Sequence, residues 1–443
     1  MWPIDKHRVL ERGVHYYFVH KGWVFLATPI TILLVLNRLS EEQQGYYYTM
    51  MSFIAFQAIA DLGFNMSLTH FVSHEWTHVH IEQGEIVGDR VARGRLASLV
   101  RIALAWSGLA SVILLFGLGF TGYAFLSLSH PETQVAWRGA WWLLCLTLVP
   151  ALLASTFRNI AEGCNNVAGS QKSTLWASIG GSVATWLGLV FGADLFVIAI
   201  GQFVTSVLTI ILLIPHNRPL WTLCFTEGRA ATVVIWWHEF WPHQWRIGIS
   251  WLCGLAMFQS FVPFIFHFRG AVDAGQAGIL LQGYALANVL GMAWVTNSQP
   301  HFGMAWAKRA FGNLKALNIV TRRRAIYTAA VAGAIGMIML IVLKLALPQF
   351  GNRVGSATAG TILFFTCTIM QIANSETSAI RFGKKEVFLS NSIFGSIAVI
   401  TSNYLLAPLG MEYVFFGFSA IMCLIVVPWV HTIYLRELRV RGQ

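Results

Sequence analysis

The sequence predicts an all-α integral membrane protein with about twelve transmembrane helices. Of its 443 residues, 56% are hydrophobic and only 11% are charged, which lies outside the composition of soluble domains. Apolar runs of roughly 20 residues, the length that crosses a bilayer, follow one another with short polar breaks. The predicted spans are residues 15–37, 46–72, 97–124, 139–157, 173–191, 194–214, 243–266, 277–298, 326–348, 358–380, 387–408 and 412–434.

Lysine and arginine are distributed unequally between alternate loops. Of the 30 basic residues, 24 fall on one side of the twelve spans, four on the other, and Lys21 and Lys344 lie inside spans. Because basic loops face the cytoplasm, we expect both termini to be cytoplasmic. This topology also explains the net charge of +11 without nucleic-acid binding, since the basic residues form no single patch.

The spans divide into two halves of six. We expect an N-terminal lobe at 1–214, a cytoplasmic amphipathic linker at 215–242 and a C-terminal lobe at 243–443. Superposing Gln43 on Gln276 also aligns Gly45 with Gly278, each at the same point of an equivalent hairpin. Such internal repeats predict two pseudo-symmetric lobes around a central cavity.

Polar side chains inside two spans indicate a hydrated cavity. A charge near the bilayer centre costs about 2.5–3.5 kcal/mol on insertion scales, so a buried carboxylate normally faces a partner or water. Hydrogen bonding between packed helices is the alternative for the amides. The candidate cavity or coupling residues are Gln57, Asp61 and Asn65 in the second span and Gln371, Asn374 and Glu376 in the tenth.

Five basic residues lie near the inner membrane boundary. Each could extend along the helix to the lipid headgroups. Together they could bind a phosphate or pyrophosphate, because arginine gives bidentate contacts and lysine a point charge. These candidates are Lys21, Arg101, Arg158, Arg246 and Arg381.

One motif suggests a metalloenzyme. Residues 74–78 read HEWTH and match the zinc-protease pattern, but a catalytic zinc needs a third protein ligand that no later span supplies. We therefore expect no metal and no cofactor. A membrane glycosyltransferase or polymerase is also disfavoured, since the short outer loops contain no paired carboxylates. The six cysteines show no paired spacing and are interpreted as small apolar residues.

Several motifs across nearly the whole chain carry a family resemblance. They are LSEEQQGYYYT (39–49), ADLGF (60–64), FVSHE (71–75), EGCNNV (162–167), WPHQWRIGISW (241–251), GQAG (275–278) and AWVTNSQPHFG (293–303). The chain resembles the O-antigen type polysaccharide flippases of the multidrug/oligosaccharidyl-lipid/polysaccharide exporter superfamily. With twelve predicted spans, we expect it to lack the two extra C-terminal helices of fourteen-helix members.

The resemblance implies a transporter of the bacterial inner membrane. It would move a polyprenyl-pyrophosphate-linked oligosaccharide to the outer leaflet by alternating access, with H⁺ or Na⁺ as coupling ion and with polymerase and glycosyltransferases as neighbours. A multidrug or organic-cation antiporter of the same superfamily is the alternative. The excess of boundary Arg and Lys favours the anionic cargo over a cationic drug.

Overall fold

A computed structural model describes residues 6–58, 64–226, 241–346, 348–382 and 387–442 of the chain, almost entirely as helices. The α-helices, in chain order, are α1 (Lys6–Arg38), α2 (Glu41–Ile54), α3 (Phe64–Trp76), α4 (Arg90–Ser129), α5 (Arg138–Leu146), α6 (Leu148–Gly163), α7 (Val167–Val190), α8 (Phe196–Leu213), α9 (Arg218–Thr226), α10 (Trp241–Gln259), α11 (Phe261–Arg269), α12 (Ala271–Ala307), α13 (Phe311–Ala346), α14 (Pro348–Gly351), α15 (Ala357–Arg381), α16 (Leu389–Leu406), α17 (Met411–Ile421) and α18 (Val427–Gly442).

The described residues contain ten helical segments long and apolar enough to cross a membrane. They confirm the prediction of an all-α membrane protein. A further predicted span, 173–191, lies in α7, a helix of 24 residues that is richer in Gly, Ser and Thr. The second predicted span, 46–72, is α2, a 3₁₀ turn at Ala55–Gln57 and α3. Asp61 lies outside the described residues.

The chain forms two compact units. The first comprises Met1–Leu39 and Phe53–Trp251, and the second comprises Ser40–Ser52 and Leu252–Gln443. Most of α2 therefore packs with the C-terminal half of the chain. Helix α9, at the start of the predicted linker, lies in the first unit, where Leu220, Leu223 and Cys224 are buried in a cluster with α3 and α4. Residues 227–240 of that linker lie outside the described residues.

Two predicted spans are each divided in the same way. Between α5 and α6 stands Thr147, whose hydroxyl donates to the Leu144 carbonyl at 2.6 Å. Between α10 and α11 stands Ser260, whose hydroxyl donates to the Met257 carbonyl at 2.8 Å. A proline follows three residues later in both cases, Pro150 and Pro263, and proline lacks the N–H that a continuous helix needs. Each hydroxyl thus adds a side-chain hydrogen bond just before the turn that the proline interrupts.

One small β-hairpin interrupts the helices, and the sequence reasoning did not predict it. Strands β1 (Val79–Glu82) and β2 (Glu85–Gly88) pair antiparallel between α3 and α4. Gln83 and Gly84, with φ of 50° and 84°, form its two-residue turn. Turns of this kind need positive φ at both positions, which glycine supplies at the second. Two features of the sequence could have predicted the hairpin: the alternating apolar residues Val79 and Ile81, and the Gln-Gly pair at the turn.

In the second unit, α2 crosses α12 at very short range. A Cβ on Gly45 would overlap the Ala271 carbonyl, and one on Gly278 would overlap the Tyr48 ring. Next to this crossing, Nη2 of Arg353 donates to Oε1 of Gln44 at 3.0 Å. The Gln44 amide in turn donates to the Arg353 carbonyl at 3.1 Å. Burial lowers the pKa of Arg353, an effect that Glu41 partly offsets.

Candidate functional site

In the first unit, two of the predicted headgroup cations lie close to one histidine. Lys21 of α1 and Arg158 of α6 both act electrostatically on His20 of α1. The Lys21 ammonium also lies over the Tyr17 ring, 5.4 Å from its centroid. Lys21 and Arg158 are 137 positions apart in the chain, so the fold brings them into one neighbourhood. We call His20, Lys21 and Arg158 the basic cluster.

Arg101 binds the protein backbone in this structure. Its Nε and Nη2 donate to the Cys224 carbonyl at 3.0 and 2.7 Å. Cys224 lies in the last turn of α9, where helix carbonyls lack intrahelical partners, so the guanidinium anchors α9 to α4. Burial raises the pKa of the Cys224 thiol to about 11, an effect that Arg101 partly offsets. An anion would have to share Arg101 with this carbonyl.

The other predicted site residues of the first unit are described only in part. Arg246 lies in α10 and Asn65 in α3, but their side chains are outside the described part of the structure, as is the whole of Asp61. Gln57 is half-buried, and its Oε1 accepts from the Gln202 side chain of α8 at 3.5 Å. Thr69, four residues after Asn65 in α3, donates from its hydroxyl to the Asn159 carbonyl at 3.2 Å.

In the second unit, the predicted amides of α15 meet a partner on α12. The Gln371 amide donates to Oδ1 of Asn288 at 3.0 Å, and the Asn374 amide approaches the same oxygen at 3.4 Å. Gln371 is fully buried, whereas Asn288 and Asn374 are half-buried. Gly291 makes room for this contact, because a Cβ there would stand 2.8 Å from the Gln371 side chain. The three amides form what we call the amide cluster.

Glu376, which follows Asn374 by two residues on α15, is bound by two basic side chains. Nη1 of Arg322 on α13 and Nδ1 of His431 on α18 each lie 2.8 Å from the same oxygen, Oε1. The Glu376 side chain is 0% exposed, whereas those of Arg322 and His431 are 27% and 42% exposed. A buried carboxylate with two such partners is compensated for its loss of hydration.

Further polar groups surround this carboxylate. The Ser375 hydroxyl donates to Oδ1 of Asn318 on α13, and the Tyr434 ring stacks on His431 at 6.4 Å. Oε2 of Glu376 is buried without a hydrogen-bond partner among the described residues, and the Tyr434 side chain interacts with Asn318. We call Arg322, Glu376 and His431, with these neighbours, the Glu376 cluster.

The sequence reasoning identified Glu376, Gln371 and Asn374 but missed their partners on other helices. Asn288 and His431 were detectable as polar residues inside predicted spans, whereas Arg322 reads as one of three consecutive loop arginines. Arg381, the remaining predicted headgroup cation, ends α15 with an exposed side chain in the second unit.

The HEWTH motif has a structural explanation. Its glutamate, Glu75, accepts from Nε of Arg95 on α4 at 2.8 Å, and the His74 ring lies 3.7 Å from the same oxygen. Helix α3 ends at Trp76, so His74 and His78 do not share a continuing helical face. Among the described residues, no three His, Cys, Asp or Glu side chains are arranged to hold a metal ion.

No family model and no curated protein sequence matches the chain. Solved structures do match over nearly its full length. An inward-facing multidrug resistance MATE family transporter of the MOP superfamily superposes with a TM-score of 0.66 at 11% identity, covering 96% of this chain and 98% of that one. The lipid II flippase MurJ, in an inward closed conformation, gives 0.63 at 11% identity, covering 94% and 86%.

A third match is a MOP superfamily transporter from Pyrococcus furiosus, with a TM-score of 0.61 at 13% identity and coverage of 99% and 97%. For that transporter, the reverse polarity of the binding pocket suggests a different function. At these identities the likeness shows the fold alone. The chain is a multi-pass membrane protein with the fold of MOP superfamily transporters.

Proposed function

We propose that this protein is a bacterial inner-membrane transporter that flips a polyprenyl-pyrophosphate-linked oligosaccharide from the cytoplasmic to the outer leaflet by alternating access. The observation that carries the proposal is the basic cluster of the first unit. Lys21 and Arg158 come from separate helices to one neighbourhood inside a largely apolar unit. A diphosphate is the class of ligand that such a pair attracts.

The charge balance of four spanning segments of the first unit, which do not include Asp61, supports an anionic cargo. Within its four described spanning segments, His15–Arg38, Arg90–Ser129, Arg138–Gly163 and Phe196–Leu213, Glu162 is the one carboxylate. Its Oε1 already accepts from the Ser170 hydroxyl and the Gln171 amide at 2.8 and 3.2 Å. A cation exporter would need free acidic groups in this region, whereas a flippase of anionic lipids needs basic ones.

The polar clusters fit the rest of such a cargo. A glycan and a diphosphate cannot enter hydrocarbon without losing their hydration, so they need polar side chains to replace water. Asn288 and Asn374 of the amide cluster are half-buried and offer amide groups of the type that bind sugar hydroxyls. In this proposal Arg246, Arg101 and Arg381 would contribute further headgroup contacts, and Asp61 would serve coupling to H⁺ or Na⁺. Both termini would be cytoplasmic, and polymerase and glycosyltransferases would be functional neighbours.

A multidrug or organic-cation antiporter is the second candidate. The observation in its favour is the buried carboxylate Glu376 together with a MATE transporter among the matching folds. In the described structure both Arg322 and His431 bind this carboxylate, which reduces its attraction for an organic cation.

The test is leaflet transfer of a fluorescent polyprenyl-pyrophosphate oligosaccharide in proteoliposomes. Wild-type protein should accelerate transfer. The double variant Lys21→Gln/Arg158→Gln should lose at least about tenfold in apparent lipid affinity, since each charge-assisted contact contributes roughly that factor. Lys172→Gln is the matched control, because Lys172 is an exposed cation on α7.

The outcomes separate the two candidates. Transfer that fails in the double variant and persists in the control supports the flippase. Unchanged lipid affinity in the double variant would show that Lys21 and Arg158 do not bind the cargo and instead extend to the headgroups of the surrounding lipids. Efflux of an organic cation such as ethidium, without any lipid transfer, would establish the antiporter instead.

A further inference from the structure

Glu376 offers one oxygen atom to two basic partners. Nη1 of Arg322 and Nδ1 of His431 both lie 2.8 Å from Oε1, while Oε2 is buried without a partner among the described residues. The two partners come from different helices, α13 and α18, and neither is adjacent to Glu376 in the chain. The strength of one contact must therefore depend on the other, because both use the same oxygen.

His431 is the most exposed side chain of the three that share this oxygen. Facing a carboxylate at Nδ1, the neutral ring carries its hydrogen on that nitrogen and leaves Nε2 as the basic atom. The side chain is 42% exposed, whereas Glu376 is 0% exposed, so a proton reaches the pair through the imidazole. Histidine is the side chain whose charge ordinarily changes near physiological pH.

We propose that Arg322, Glu376 and His431 form a proton-binding site, in which protonation of Nε2 on His431 releases the bond to Arg322 that joins α13 to α15 and strengthens the bond that joins α15 to α18. The added proton gives the ring a positive charge. In a poorly hydrated site that charge is attracted to Glu376 and repelled by Arg322. Protonation adds charge to the His431 ring and none to Arg322, so Arg322 is the partner whose bond weakens, and its 27% exposed side chain is not fixed by full burial.

The groups facing the site from every helix packed on it favour this exchange. Helix α13 contributes Arg322 and the neutral Asn318, α15 contributes Glu376 and Ser375, and α18 contributes the stacked ring of Tyr434. Glu376 is the carboxylate that binds His431 in the described structure. One carboxylate thus binds two basic groups, and protonation of His431 determines which of the two it binds more strongly.

The second oxygen of Glu376 gives the carboxylate room to change partners. Oε2 of Glu376 is buried without a hydrogen-bond partner among the described residues, whereas the Tyr434 and Asn318 side chains interact with each other. A carboxylate that rotates toward α18 can use the Tyr434 hydroxyl, which can donate a hydrogen bond. Buried polar atoms in folded proteins are normally bonded, so an unpartnered carboxylate oxygen indicates a site built for a second arrangement.

Helix α18 has a local feature that permits movement. It is preceded by a π-helical segment, Met422–Val426, and such segments occur frequently at functional sites. The Val426 carbonyl accepts from the Asn391 side chain of α16 at 3.4 Å. Because a π turn holds an extra residue, a small rotation there can reposition His431 relative to Glu376.

The experiment is hydrogen–deuterium exchange of the full-length protein in nanodiscs at pD about 7.5 and about 5.5, with correction for the intrinsic exchange rates. In wild type, peptides covering 311–325 of α13 should exchange about tenfold faster at the lower pD, the factor expected for losing one charge-assisted hydrogen bond. Peptides covering 427–437 of α18 should exchange more slowly.

Three variants decide the assignment. His431→Gln keeps a donor toward Glu376 but cannot take up a proton, so its exchange should be the same at both pD values. His431→Lys carries a fixed charge and should show the low-pD pattern throughout. His74→Gln is the matched control, because His74 also stands beside a glutamate bound to an arginine, and it should retain the wild-type response.

A wild-type protein without the pD response, or a His431→Gln variant that keeps it, would overturn the proposal. Peptides covering 271–285 of α12, in the same unit as Glu376, report whether each His431 variant is folded, and peptides of the hairpin 79–88 do so for His74→Gln. Coupling of this proton to cargo movement rests on the proposed transport function, whereas the exchange measurement needs no cargo. A protein that flips no lipid but shows the response would refute the transport proposal alone.

Discussion

Two glutamates, one in each unit, are bound by the same pair of residue types with different consequences. Glu75 in the first unit accepts from Arg95 at 2.8 Å and has His74 at 3.7 Å. Glu376 in the second unit has Arg322 and His431 both at 2.8 Å. The Glu75 side chain is 9% exposed beside a histidine that is 70% exposed, whereas Glu376 is 0% exposed.

The difference lies in where the partners come from. His74 is the chain neighbour of Glu75, so that pair links nothing that the backbone does not already link. The Glu75–Arg95 bond joins the end of α3 to α4 across the hairpin. His431 and Arg322 instead connect Glu376 to two other helices. Identical residue types therefore make a fixed connection in one unit and an exchangeable one in the other.

The largest expected effect comes from removing the arginines. Arg322→Ala leaves Glu376 buried with only His431 as partner, and we expect the free energy of unfolding to fall by about 3 kcal/mol. Arg95→Ala should cost less, about 1 kcal/mol, because the Glu75 side chain is 9% exposed at the end of α3 whereas that of Glu376 is 0% exposed. Unfolding in mixed detergent micelles measures both. Equal losses would contradict the difference between the two glutamates.

Replacing the buried pair together should recover most of that loss. In Arg322→Met/Glu376→Gln neither charge of the pair remains, and pairs exchanged for neutral groups of similar volume are often tolerated. We expect the coupling energy between the two positions to be about 2 kcal/mol in a double-mutant cycle. A coupling energy near zero would show that the ion pair contributes nothing in the folded protein.

Removing the hydrogen bond between Ser375 and Asn318, next to Glu376, should have a smaller effect on the free energy of unfolding. Asn318→Ala removes the acceptor of the Ser375 hydroxyl and should lower the unfolding free energy by about 1–2 kcal/mol, because a buried hydroxyl is left unbonded. Ser375→Ala in the same background should restore part of that loss. If the single Asn318 variant is as stable as wild type, the hydrogen bond between Ser375 and Asn318 does not stabilise the surroundings of the carboxylate.

The smallest effect should come from His74. It is largely exposed and 3.7 Å from Glu75, so His74→Gln should change the unfolding free energy by less than about 0.5 kcal/mol at any pH between 5 and 8. The same micelle unfolding measured across that pH range checks this expectation. A clear pH dependence that His74→Gln removes would make the two glutamates equivalent after all.

Sequence reasoning identified the membrane class and the intramembrane polar residues more fully than their partners. Glu376, Gln371 and Asn374 are conspicuous because each is polar in an apolar run. Their partners Arg322 and Asn288 lie on helices 54 and 83 positions away, and periodicity within one span carries no information about such distances. Arg101 shows the converse, because its backbone partner exists only once α9 has folded against α4.

By itself, the sequence determined that this chain crosses a membrane repeatedly and which polar residues lie in its spans. Both follow from the cost of exposing polar groups to hydrocarbon, which acts on each segment independently. Only the tertiary structure decided that Glu75 holds a helix end and that Glu376 joins three helices. Pairing energies depend on distance and burial, and the packing of separate helices sets both.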